Sequence, residues 1–118
     1  MKIHRLKTWP DSYDAVVSNT KRFEVRVNDR GFQVGDVLLL ERWDPDTSQY
    51  TGAWTWRVVT FLVQGVYGLP PELSVLSLTA EGERPPGWGQ ATLEAFLTDL
   101  DIVYEMKIYL HETTTTEQ

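Results

Sequence analysis

Cysteine is absent from the 118 residues, which rules out disulfides and thiolate metal sites. That absence suits a reducing compartment. Histidine is scarce as well: His4 and His111 are the only two, and neither belongs to a His/Glu cluster with metal-ligand spacing. No metal and no cofactor are therefore expected. No apolar run approaches the roughly 18 residues that would suggest a membrane span. The first residues, Met-Lys-Ile-His-Arg-Leu-Lys, carry charge where a signal peptide needs an apolar core. The expectation is a cytoplasmic protein with no membrane partner. An excess of positive charge is also missing. The net charge of −6 argues against a general nucleic-acid coat protein.

What is present describes an ordinary globular chain, 42% hydrophobic and 24% charged. Its length suits one domain, expected over 1–112, with a frayed tail at 113–118 where Thr and polar residues dominate. The charge is unevenly spread. Residues 1–30 hold seven basic side chains against four acids, and the remaining residues hold four against thirteen. An acidic body with one basic region suits a selective site for a local anionic ligand better than a long phosphate track.

Periodicity gives a mainly β chain with early and late helices. Lys2 to Lys7 suits a first strand. Pro10, followed by Asp11 and Asp14, signals a helix start, and Tyr13, Val16 and Val17 follow helical spacing. Asn19 falls where the end of that helix needs a left-handed residue, and asparagine is the usual second choice to glycine there. Phe23 to Val27 reads as the second strand. Val37 to Leu40, continuing to Trp43, reads as a strand buried on both faces. Trp54 to Gln64 is a long β-rich segment, with Gly52 marking a bulge, and Leu73 to Leu78 is a further strand. Beyond a Pro/Gly-rich loop, Ala91 to Leu100 has helical spacing. Ile102 to Leu110 alternates Ile102, Tyr104, Met106, Ile108 and Leu110, which predicts a strand. Closely spaced strands with one early helix predict a small barrel decorated by helices.

The most informative stretch is Asn19 to Arg26, Asn-Thr-Lys-Arg-Phe-Glu-Val-Arg. If Phe23, Val25 and Val27 face the core, Glu24 and Arg26 point together to the opposite face, with Lys21 at the strand entrance. A cation–anion–cation cluster there suits a phosphate or polar heterocycle, although a plain surface ion pair has the same spacing. Around it stand His4-Arg-Leu-Lys7, Asn28-Asp-Arg-Gly-Phe-Gln-Val-Gly-Asp36 and Tyr50-Thr-Gly52.

As a whole, residues 2–78 resemble the ASCH family of the PUA-like superfamily, especially its compact bacterial and phage members. The family signature Gly-x-Lys-x-x-Glu-x-Arg is matched by Lys21, Glu24 and Arg26, with Asn19 at the glycine position. The resemblance implies a small PUA-like β-barrel, mixed α/β but mainly β, with a helix between the first two strands. Residues 79–112 would then be a C-terminal helix-strand extension. It also implies RNA or a nucleotide as partner, held in a cleft by Lys7, Lys21, Glu24 and Arg26, with Arg30 as an outer contact and His4 nearby. No oligomeric state follows.

Two other functions fit the same residues. One is a metal-independent hydrolase of RNA or a modified nucleoside, with Lys21 as base or electrostatic catalyst and Glu24 as its acid–base partner. In the family's amidohydrolase the position of Glu24 holds a nucleophilic threonine, so the glutamate here departs from that activity. The other is a phage-type accessory protein that binds a protein partner through its acidic surface. Asp44, Asp46 and Ser48 imitate the start of a calcium loop, but Gln49 and Thr55 stand where glycine and glutamate are needed. Five tryptophans suggest base stacking, yet core packing accounts for most of them. Trp88, in the Pro/Gly loop, is the one expected to be exposed.

Overall fold

The computed structural model describes the backbone of residues 1–113 and the side chains of residues 1–101. The chain divides into two compact units, Met1–Pro85 and Pro86–Gln118. The first unit holds β1 (Ile3–Thr8), α1 (Pro10–Val17), β2 (Phe23–Val27), β3 (Val37–Asp44), β4 (Gln49–Gln64) and β5 (Leu73–Leu78). The strands form one five-stranded sheet in the order β1-β3-β4-β5-β2. β1 runs parallel to β3, and the remaining pairs are antiparallel.

Interior strand β3 is apolar because it is covered on both sides: Val37, Leu38, Leu39 and Leu40 are all fully buried. β4 is long enough to pair with β3 along one part and β5 along another. Opposite Glu41 and Trp43 it accommodates extra residues between Tyr50 and Trp54, and Gly52 there adopts φ +93°. Only glycine takes that conformation without strain, so the bulge sits where the glycine is. The core gathers Leu6, Leu38, Leu40, Val59, Leu76 and Leu78 from the strands, with Tyr13 and Val16 from α1.

α1 starts at Pro10, with Trp9 as its extended N-cap residue. Asn19, just past its end, has φ +63°, as its position in the sequence predicts. The expected stripe on α1 is narrower than its spacing suggests. Tyr13 and Val16 are buried, whereas Val17 is exposed.

Two expectations about strands are overturned. The strand predicted over Ile102–Leu110 is helix: α2 runs unbroken over Gln90–Thr113. No glycine or proline interrupts residues 90–113, and adding one residue to an existing helix costs far less than starting a new element, so the helix propagates through the alternating segment. Residues 114–118 of the expected tail lie outside the described residues. Within the second unit Trp88 packs edge-on against Phe96, with ring centroids 5.2 Å apart, and is not the exposed tryptophan. That is Trp9, at 59% exposure.

The second correction concerns β2. Phe23, Val25 and Val27 point outward, at 46%, 45% and 53% exposure, and Glu24 is buried at 2%. Glu24 lies opposite the core residue Leu76, and Arg26 opposite the buried Ser74. Alternation shows which residues share a face but carries no information on which face is inside. An apolar set normally takes the inside. Here the inward carboxylate meets two cations, which offsets the cost of its burial.

Candidate functional site

Glu24 is the centre of the site. Its Oε1 accepts a hydrogen bond from Lys21 Nζ at 3.0 Å, and its Oε2 accepts one from Arg26 Nε at 2.9 Å. Lys21 Nζ also donates to Ser12 Oγ on α1 and lies 5.3 Å from the Phe23 ring centroid. Arg26 Nη2 donates to the Lys7 carbonyl at 3.1 Å. The two cations are partly open to solvent, Lys21 at 21% and Arg26 at 26% of their side-chain surface, while the Glu24 side chain is 3% exposed.

Local folding makes this convergence. The last turn of α1 holds the amides of both Thr20 and Lys21 on the Ala15 carbonyl. Asn19 turns the chain in its left-handed conformation, and its Oδ1 accepts the Glu81 amide at 2.8 Å. The chain thus enters β2 with Lys21 beside the helix. Ser12 is the member of the site that motif reading misses. Its signal was available, because it lies four residues before the buried Val16 and so shares that helix face.

The remaining expected site residues are placed differently. Lys7 reaches Arg26 through its backbone carbonyl, while its ammonium lies 4.0 Å from the centroid of the Trp43 ring. Along β1, His4, Leu6 and Thr8 face the core, so Lys7 projects to the other face. Arg30 Nη1 donates to the Arg5 carbonyl at 2.7 Å. Arg26 and Arg30 therefore bind two alternate carbonyls of β1. Since β1 and β2 are the two edges of the sheet, side chains bridge a seam that no backbone ladder closes.

His4 does not join the cluster. Its Nε2 is 2.8 Å from Asp36 Oδ2, both side chains are 6% exposed, and the ring meets Phe32 edge-on at 4.7 Å. Asp36 also accepts the amides of Lys2 and Gln33. Burial pushes the Asp36 carboxyl up. The hydrogen bonds from His4 and the two amides, with the charge of His4, outweigh burial and hold it below its ordinary value. The sign follows: the unfolded chain binds the proton more readily, so this stabilisation is present above the ordinary aspartate range near about pH 3.9 and is lost as pH falls through it to the lower folded value. Asp36→Asn should flatten the acid limb of a stability–pH curve. An unchanged acid limb would show that Asp36 contributes nothing to it.

Among the described residues no group of three or more His, Asp or Glu side chains could hold a metal ion. No described helix is long and apolar enough to cross a membrane.

A 42-residue stretch of the chain is 40% identical to an uncharacterized 12.9 kDa protein in the GpA 3′ region of Escherichia phage P2. The match covers 36% of this chain and 38% of that protein. Residues 3–78, within the first unit, match a family described as a domain of unknown function, DUF3850. Because that match takes in all five strands and α1, well over half of the 118 residues, the chain belongs to the DUF3850 family.

Proposed function

We propose that this chain is an ASCH-type module of the PUA-like class that binds RNA or a nucleotide, with Lys21 and Arg26 receiving an anionic or polar edge of the ligand. One observation carries the reading: a buried carboxylate holds two partly exposed cations side by side. Cations oriented in this way lose little freedom on meeting a ligand. Arg26 spends its Nε on Glu24 and one Nη2 donor on the Lys7 carbonyl, leaving further guanidinium donors for an acceptor pair. Trp9 opens the helix that carries Ser12 and is exposed, so it supplies a stacking surface on the same element. The arginine-bridged seam between β1 and β2 supports a barrel-like arrangement of the sheet.

The same geometry favours binding over hydrolysis. Both Glu24 oxygens are engaged, which suits an orienting anion better than a group that moves protons. The test is binding and turnover of RNA oligonucleotides and modified nucleosides, comparing the parent with Lys21→Ala and Arg26→Ala. Each substitution should weaken binding at least about tenfold, the loss of one charge-assisted hydrogen bond. With few phosphate contacts, the log–log salt slope should be only about −1 to −3. A slope near −8, or binding indifferent to both substitutions in a folded protein, refutes the discrete site. Metal-independent turnover lost with Lys21 would transfer the reading to the hydrolase.

A further inference from the structure

The outward side of β2, β5 and β4 is an apolar sheet face. Register places its residues in rows. Phe23 and Phe61 flank Ser77, and Val25 and Val63 flank Val75. Val27 extends the face along β2. Phe61 is 64% exposed, and Phe23, Val25 and Val27 are each close to half exposed. Together these four side chains present roughly 400 Å² of apolar surface, the size at which a patch on a single chain is commonly functional.

We propose that this face is the contact surface between two copies of the chain, packed sheet on sheet about a two-fold axis. Charge is the first reason. A two-fold contact sets this face against a copy of itself, so a face carrying charge of one sign would repel itself. The chain carries a net charge of −6, yet the residues that form these rows are all uncharged. The polar groups beside them are already satisfied within the chain: Thr60 donates to Ser77 at 3.0 Å, and Asn28 to Gln64 at 2.7 Å. Arg22, next to Phe23, is paired with Glu83. Lys21, beside Phe23, is paired with Glu24, and the rows themselves offer a charged partner no contact, whereas a second copy brings a matching apolar face.

Shape and area agree. Phe23 and Phe61 stand two strand spacings apart, about 10 Å, over the small Ser77, which leaves a slot for one aromatic ring of the facing sheet. Two such faces would remove about 800 Å² through these four residues alone, and their neighbours bring the contact to the order of 1,000 Å² that a specific interface needs. The dimer should therefore be of moderate affinity. The face meets the ligand site at one point, where Lys21 Nζ lies 5.3 Å from the Phe23 ring centroid, so the test substitutes Phe61 and Val27 and leaves Phe23 in place.

Sedimentation of the full chain over concentrations up to about 100 μM tests it, with dissociation expected in the micromolar range. The parent should form a dimer and nothing larger. Phe61→Glu should raise the dissociation constant at least about tenfold, the penalty of one charge set against an apolar contact. Val27→Lys should do the same should the first variant fail to fold, and circular dichroism checks both. Raising the salt concentration should tighten the dimer by screening the repulsion between two acidic bodies. A parent that stays monomeric, an open-ended oligomer, or a dimer unaffected by a folded variant would each overturn the proposal.

Discussion

Replacing Glu24 with glutamine should destabilise the protein by about 3–5 kcal/mol, the usual result of breaking a buried ion pair from one side. The carboxylate is almost completely buried and both oxygens accept from cations. Glutamine preserves the shape but removes the charge, and its amide presents N–H groups to either Lys21 or Arg26. One of those cations then faces a donor where it had an acceptor. Lys21 and Arg26 are each about a quarter exposed and can turn partly toward water, which places the expected effect near the lower end of that range. In a domain of this size even 3 kcal/mol corresponds to a fall in Tm of more than about 10 °C. Lys21→Ala should cost less, because Arg26 remains to balance the carboxylate. Chemical denaturation of the three proteins gives the ranking. A Glu24→Gln loss below about 1 kcal/mol would show that the carboxylate is solvated, contrary to its burial. The same experiment bears on function: a strongly destabilised Glu24 variant cannot be read simply as the loss of an acid–base group.

Arg57→Ala should cost about 3 kcal/mol or more, for a different reason. Arg57 is 2% exposed. Its Nη1 donates to Thr55 Oγ1 and the Trp56 carbonyl, and its Nη2 to the Val16 carbonyl and Glu81 Oε1. The guanidinium thus ties β4 to the end of α1 and to the segment after β5. Glu81 is 54% exposed, so it returns to water when the arginine is removed, and the ion pair itself contributes little. The Thr55 hydroxyl and the Val16 carbonyl instead lose a donor in buried surroundings, at about 1–3 kcal/mol each. Glu81→Gln should consequently change stability by less than about 1 kcal/mol. If Glu81→Gln were as damaging as Arg57→Ala, the ion pair and not the unmade hydrogen bonds would carry the energy.

Several features follow from residue chemistry acting locally. Pro10 with Asp11 marked the start of α1, and Asn19 marked the left-handed residue beyond its end. Gly52 marked the bulge in β4, and Val37 to Leu40 marked the strand covered on both sides. Each depends on the φ preference of one residue or on the composition of a short run, so neighbours in the chain are enough to determine it. The spacing of Lys21, Glu24 and Arg26 was likewise enough to bring them together, since a helix end and five residues of strand leave little freedom between them.

Tertiary structure decided the rest. Phe23-Glu24-Val25-Arg26-Val27 alternates equally well with either set facing in, and the choice depends on what waits inside. Ser12 from α1 and the Lys7 carbonyl from β1 lie inside, and they complete the bonding of the two cations. The same long-range packing took His4 out of the site by pairing it with Asp36, 32 residues away. It turned Lys7 over Trp43 and laid Arg30 across the carbonyl of Arg5. Arg57 had no sequence signal at all, because its partners are gathered from three separate segments. The sequence by itself determined the strands and turns of the first unit and the meeting of Lys21, Glu24 and Arg26. Which side of β2 is wet, and which other charged groups share the site, depended on contacts between segments far apart in the chain, where Lys21 and Arg26 on the buried Glu24 offset the cost of its burial.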